Sequence, residues 1–281
     1  MRSSEAFFNG YQETRLFYQF WEAKNPKANL IITHGHGEHS ECYLRVVEAL
    51  SDLPLRIFAW DLRGHGRSEG LRGYALNFED YNRDYEALMM HLQREHQIFQ
   101  KPLFLLAHSM GALIQLKALT ENIHWPVTAQ ALSSPMMGIS VEVPLIKDLG
   151  AVALRMFLPK VTMGNELSYD DLSRDPVIHQ EYDRDVLRHA QMSSGVYLGS
   201  LAAMELVKAK VQRIQVPTLL QIAEKDPVVS TEKNLAMFKK LGSKEKLLKV
   251  YPDRKHELFN DLGREEVLHD LHDFLQVKLN Q

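Results

Sequence analysis

Short apolar runs recur along the chain, each closed by turn chemistry. Leu30-Ile31-Ile32 leads into Thr33-His34-Gly35, and Ile57-Phe58-Ala59-Trp60 leads into Asp61-Leu62-Arg63-Gly64. A continuous apolar run ending in a glycine loop is the pattern of a central strand buried on both faces of a parallel sheet. Leu103-Phe104-Leu105-Leu106, Ala129-Gln130-Ala131-Leu132, Leu219-Leu220-Gln221-Ile222 and Leu247-Leu248-Lys249-Val250 continue the series. Helical patterns separate them, over 41–50 and over 79–96, the latter with Tyr81, Tyr85, Leu88 and Leu92 on one face. Crossovers of this kind require a parallel sheet covered by helices on both sides, so the predicted fold class is α/β. The aromatic segment around Phe7, Tyr11, Phe17, Tyr18 and Trp21 predicts an antiparallel hairpin at the sheet edge.

The alternation lapses after Ser134 and resumes at Pro217-Thr218-Leu219. A gap of about 80 residues exceeds an ordinary connection, and predicts a helical cap over 135–216 inserted into a catalytic domain formed by 1–134 and 217–281. Within it, 145–158 places Leu145, Leu149, Val152 and Met156 at helical spacing, too short to span a bilayer. One reading is a lid helix that gives an acyl chain an apolar wall and touches a lipid surface. The other is a core-facing helix, which composition alone favours, because such stripes are usually packing.

Composition narrows the function. The 281 residues are 45% hydrophobic and 25% charged, as in a soluble globular protein. Lys+Arg 33 against Asp+Glu 36 gives a net charge of −3; with the charges interspersed, no nucleic-acid partner is expected. Cys42 is the single cysteine, so no intrachain disulfide can form and thiolate metal sites are disfavoured. The first residues lack a signal-like apolar stretch, and a cytoplasmic location is expected.

The chemistry centres on Ala107-His108-Ser109-Met110-Gly111, where an apolar run ends in a small-x-Ser-x-small pattern and a helix-like stretch begins. A serine on a strained strand-to-helix turn needs small residues two positions away on either side, because bulk there strikes neighbouring backbone. Alone, the pattern also fits a serine capping a helix. A nucleophilic Ser109 needs a base and an acid to orient that base, in the chain order Ser, Asp or Glu, His. Asp226 and His256 meet this order, each just beyond the carboxyl end of a strand, where open α/β sheets gather ligands. Glu224 and Asp253 are competing acids; His269 and His272 are competing bases, weakened by their place in an amphipathic helix. The oxyanion of a tetrahedral intermediate would be met by the backbone N–H groups of Met110 and His36.

Two other classes compete. His34, His36 and His39 resemble a zinc motif, with Asp61 or His65 as further ligands, but Glu38 stands where that motif has aspartate. A non-catalytic scaffold is the third, opposed by the complete Ser-Asp-His set.

His34-Gly35-x-Gly37-Glu38-His39-Ser40, Asp61-x-Arg63-Gly64-His65-Gly66-x-Ser68 and His108-Ser109-Met110-Gly111, with Asp226 and His256, resemble the monoglyceride lipase and lysophospholipase branch of the α/β-hydrolases. The resemblance implies an oxyanion hole in the 34–40 loop and a helical cap over an acyl tunnel, which turns Leu145, Leu149, Val152 and Met156 into substrate-binding candidates. Ala107 departs from the usual elbow glycine, and Ala112 from a second glycine. The Asp61 to Ser68 loop reads as structural, its Asp-Arg pair bracing the sheet edge. In the cap only fragments such as Tyr182-x-x-Asp185-x-Leu187 carry the likeness. The implied activity is hydrolysis of a single-acyl-chain lipid ester, monoacylglycerol or lysophospholipid, without cofactor and without a protein partner. Transient lipid-surface contact is expected through the cap; the alternative is a general carboxylesterase for short soluble esters.

Overall fold

The aromatic N-terminal segment forms β1 (Arg2–Asn9) and β2 (Arg15–Glu22), antiparallel over their full length, so the predicted edge hairpin is present. The structure is a computed structural model and describes residues 1–121, 124–140, 145–165 and 167–281. The chain continues through β3 (Ala28–Thr33), α1 (Leu44–Ala49), β4 (Leu55–Trp60), α2 (Glu79–His96), β5 (Leu103–His108), α3 (Ser109–Glu121) and β6 (Val127–Ser133). It then leaves the sheet for α4 (Leu145–Phe157), β7 (Thr162–Gly164), α5 (Tyr169–Leu172), α6 (Pro176–Arg184), β8 (Gln191–Ser193) and α7 (Ser194–Lys210). It returns as β9 (Thr218–Ala223), α8 (Thr231–Lys240), β10 (Lys246–Tyr251) and α9 (Arg264–Leu279).

Eight strands lie in the order β1-β2-β4-β3-β5-β6-β9-β10. β2 meets β4 antiparallel, and every pair from β4 to β10 is parallel. Side chains alternate across a strand, so Ile31, Leu103 and Leu105 enter one apolar layer with α2, α3 and α7, while Leu30, Ile32, Phe104 and Leu106 enter the other with α1 and α9. That division explains the continuous apolar runs. Each such side chain, removed fully from water, contributes about 1.5–3 kcal/mol.

Three details differ from the sequence pattern. The helix expected over 41–50 begins with a 3-10 turn, Ser40–Tyr43, and becomes α-helical only at Leu44. The Ser40 N–H donates to Asp61 Oδ1 at 2.7 Å and the Cys42 N–H to the His39 carbonyl at 3.1 Å, which tightens that first turn. β10 ends the sheet, and its Leu247, Leu248 and Val250 are exposed. Within the insert, α7 is not detached from the main body: Val196, Ala203, Met204 and Val207 pack in the same apolar layer as α2 and α3.

Because β5, β9 and β10 run parallel, the segments following them emerge at one edge. Ser109, Asp226 and His256 follow these three strands.

Candidate active site

Ser109 joins β5 to α3 with φ of 50°, a left-handed conformation that costs a non-glycine residue energy. Its neighbours explain how the turn closes. A Cβ on Gly111 would lie 2.2 Å from the His34 carbonyl oxygen and 2.5 Å from that of Thr33, so only glycine fits there. Ala107 is fully buried in the apolar layer below the turn, and its methyl is part of the packing.

The three side chains expected from chain order are hydrogen-bonded in series. His256 Nδ1 lies 2.9 Å from Asp226 Oδ2, and His256 Nε2 lies 2.8 Å from Ser109 Oγ. An ionised carboxylate only accepts, so Nδ1–H donates to Asp226 and the Nε2 lone pair faces the serine hydroxyl. The second Asp226 oxygen accepts from the N–H groups of Val228 and Val229 at 2.8 and 3.0 Å. Burial opposes ionisation of Asp226, but the His256 charge and these hydrogen bonds outweigh it and hold its pKa below the ordinary carboxylate value. Burial likewise opposes protonation of His256, yet Asp226 foremost, then Glu257 and Glu38, lift its pKa above the ordinary imidazole value. Glu224 and Asp253 are exposed, whereas Asp226 is buried. His269 pairs with Asp273 and His272 with Asp52, outside this series.

The glycine loop lies against the serine. A Cβ on Gly35 would be 3.2 Å from Ser109 Cβ and 3.0 Å from the His108 ring. The Gly35 N–H donates to Glu38 Oε2 at 2.6 Å, and Tyr43 Oη donates to the same oxygen at 2.9 Å. This fixes the backbone on both sides of His36. Met110 follows Ser109 in the first turn of α3, where backbone N–H groups have no partner within the helix. His108 is neutral: burial, then the nearby His256, push its pKa down to about 3.

His34, His36 and His39 do not converge as a zinc triad. His34 donates through Nδ1 to the Gly35 carbonyl at 2.6 Å and accepts at Nε2 from the Leu62 N–H at 2.9 Å. His39 Nε2 lies 2.7 Å from Asp185. His36 instead packs with His65 and His189, centroids 5.4 and 5.5 Å away, while His65 stands 4.5 Å from His189 and 5.4 Å from His34. Burial foremost depresses the pKa of each ring in this cluster. His39, Cys42 and Asp185 are the one metal-compatible group among the described residues. Cys42 Sγ accepts a hydrogen bond from Arg188 at 3.3 Å, so this group is already internally bonded.

The loop from Asp61 to Ser68 is braced differently from the expectation. Asp61 does not pair with Arg63; its oxygens accept the Ser40 and Arg67 N–H groups, both at 2.7 Å. Arg63 turns away to Asp84, at 2.5 and 2.6 Å. Of the apolar stripe on α4, the Leu145 and Leu149 side chains lie outside the described residues. Val152 is 46% and Met156 71% exposed, next to the exposed Phe157 and Leu158. The residues missed in the sequence surround Glu257: Tyr182 donates to it at 2.5 Å, Asn260 at 2.9 Å, and Arg188 forms an ion pair with it. The fragment beginning at Tyr182 was their one signal.

Residues 24–263 match the serine aminopeptidase S33 family. The chain is 28% identical over 275 residues to a monoacylglycerol lipase of Mycolicibacterium smegmatis, covering 95% of each chain. It is 27% identical over 248 residues to the phospholipase YtpA of Bacillus subtilis, covering 88% of this chain and 94% of the relative. The crystal structure of a monoacylglycerol lipase from Paleococcus ferrophilus superposes with a TM-score of 0.82 at 25% identity, covering 99% of this chain and all of that one. The α/β sheet, the serine turn and the match over residues 24–263 together establish that the chain belongs to the serine aminopeptidase S33 family of α/β-hydrolases.

Proposed function

We propose that this serine hydrolase cleaves single-acyl-chain lipid esters, monoacylglycerol or lysophospholipid, through an acyl-enzyme on Ser109. The observation that carries the reading is the unbroken series Ser109 Oγ, His256, Asp226 at 2.8 and 2.9 Å. His256 takes the hydroxyl proton as Oγ attacks the ester carbonyl, and Asp226 stabilises the imidazolium formed. The carbonyl oxygen gathers negative charge and is met by the N–H groups of Met110 and His36; losing one such donor typically costs about 2.7–4 kcal/mol. His256 then gives its proton to the departing alcohol. Water enters, loses a proton to His256 and attacks the acyl-enzyme, and return of that proton to Oγ releases the fatty acid.

Residues 135–216 act as a cap, and the α4 stripe from Leu145 through Leu149 and Val152 to Met156 guides the acyl chain. Support comes from the outward apolar side chains: Met156, Phe157 and Leu158 are 71%, 76% and 56% exposed, more than a soluble surface ordinarily gathers in one stretch. The same face makes transient contact with a lipid surface. Among the described residues no helix is long and apolar enough to cross a membrane. The enzyme is read as cytoplasmic, with no cofactor, nucleic-acid or protein partner.

Ser109→Ala should lower ester turnover by about 10⁶-fold, the scale of such nucleophile losses, and wild-type turnover in that variant would reject the mechanism. Chain length separates the lipid ester from the short-ester reading. A p-nitrophenyl series run beside monoacylglycerol and lysophosphatidylcholine should favour decanoate over acetate; the reverse preference supports a general carboxylesterase.

A further inference from the structure

The loop that carries His256 is held largely by the insert. The His256 and Glu257 N–H groups donate to the carbonyls of Asp171 and Leu172 in α5, at 3.4 and 2.9 Å. Ser173 Oγ donates to the Asn260 carbonyl at 2.9 Å, and Arg174 reaches Asp261 at 3.0 Å. Arg264, just past the loop, returns a bond to Asp175 at 2.7 Å.

Arg188 closes this brace from the far side of α6. Its own N–H is turned onto the Asp185 carbonyl at 3.3 Å, and its side chain is only 11% exposed. The guanidinium stacks 3.9 Å over the Tyr182 ring, donates to Cys42 Sγ at 3.3 Å and pairs with the Glu257 carboxylate. One cation thus touches the turn after the glycine loop and the residue next to His256. Glu38 and Glu257 line a single small cavity with Cys42, Tyr43, His108 and Asn260, and the Arg188 charge favours the ionised form of both carboxylates.

We infer that Arg188 is a positioning residue for His256, acting through Glu257, and that the 171–188 part of the insert completes the mount of the reacting histidine. The inference rests on the Ser109-His256-Asp226 reading. A buried carboxylate deprived of its cation either takes a proton or pulls toward water. A carboxylate that pulls toward water draws on the backbone one residue from His256. A displacement of Nε2 from Ser109 Oγ lowers turnover without removing any reacting group, and a misplacement of about 1 Å can cost about 10²-fold.

The test uses the full chain with Arg188→Met, Arg188→Lys and Glu257→Gln, each checked for folding by circular dichroism. Arg188→Met should lower kcat for a p-nitrophenyl ester by up to about 10²-fold and slow fluorophosphonate labelling in parallel, with KM little changed. Arg188→Lys should recover part of the loss. The groups facing His256 are Asp226, His108, Glu257, Glu38 and, through Glu257, Arg188. Glu257→Gln keeps hydrogen-bonding capacity toward Tyr182 and Asn260 but removes a charge that raises the His256 pKa. The acid limb of kcat/KM should therefore move to lower pH. A folded Arg188→Met enzyme with wild-type kcat overturns the inference, as does an unmoved acid limb in Glu257→Gln. If Arg188→Met does not fold, Arg188→Lys decides: a folded lysine variant with wild-type kcat and labelling rate overturns the inference. Failure of the underlying reading looks different: the wild-type chain would ignore the fluorophosphonate and Ser109→Ala would keep its turnover.

Discussion

The Gly35 N–H donates to Glu38 Oε2 at 2.6 Å, so the loop that faces Ser109 is tied to a buried carboxylate. Burial foremost, then the Glu257 charge, push the Glu38 pKa up from 4.5 to about 7 against the Arg188 charge and the hydrogen bonds from Gly35 and Tyr43. The folded protein therefore binds more protons at this position than the unfolded chain between those two values. Stability from this group is present at low pH and is lost as pH rises through about 7. Glu38→Gln keeps an acceptor for the Gly35 N–H and does not ionise. Denaturant unfolding should show wild type losing ground to this variant as pH rises from 4.5 to about 7, and parallel stability curves would contradict the assignment.

Asp226 fixes the His256 tautomer and raises its pKa. The proposed mechanism requires neutral His256, so the wild-type acid limb should lie above the ordinary imidazole value. Asp226→Asn should move that limb to lower pH and reduce kcat by about 10⁴-fold, the loss seen when such an acid becomes an amide. A kcat/KM profile with its acid limb in the wild-type position would count against the pairing.

Gly111 and Ala107 flank Ser109 with opposite tolerances. Gly111→Ala places a methyl within 2.2 Å of the His34 carbonyl oxygen, so the turn must open. We expect loss of fluorophosphonate labelling together with a lowered Tm. Ala107→Gly removes a packed methyl that already fits, and activity should change little. A large gain in kcat would reveal strain from that methyl.

Phe157 and Leu158 extend the exposed apolar end of α4. Replacing both with glutamate should abolish co-sedimentation with phospholipid vesicles while p-nitrophenyl acetate hydrolysis persists. Unchanged sedimentation would move lipid contact to another surface.

Much of this arrangement was legible in the sequence because strands buried on both faces read as uninterrupted apolar runs. Chain order and a place past a strand end admitted Asp226 and His256 without excluding Glu224 or Asp253, since a parallel sheet delivers all such strand ends to one edge; His269 and His272 were set aside by their amphipathic helix. β10 misled because a run such as Leu247-Leu248-Lys249-Val250 reads the same in the middle of a sheet and at its border. Arg63 was expected to partner its near neighbour Asp61, yet it reaches Asp84 on α2, while Asp61 serves backbone N–H groups. The Arg188 to Glu257 pair was hidden for the same reason. Ion pairs across distant segments leave no period in a sequence, and this one spans 69 positions.

The packed imidazoles of His34, His36, His65 and His189 work against the fold as pH falls. Burial, then mutual repulsion for most of them, hold His34 and His36 at about 3 and His189 at about 4, with His65 well below its ordinary value. Free imidazole titrates near about 6.5, so between these limits the unfolded chain takes up protons that the folded one refuses. Stability from the four rings is intact above the free value and drains as the medium sours. His34 and His36 stand on the glycine loop that meets Ser109, His65 on the loop after β4 and His189 on the insert. Acid exposure should therefore first part the insert from those loops, so that activity fails before the sheet does.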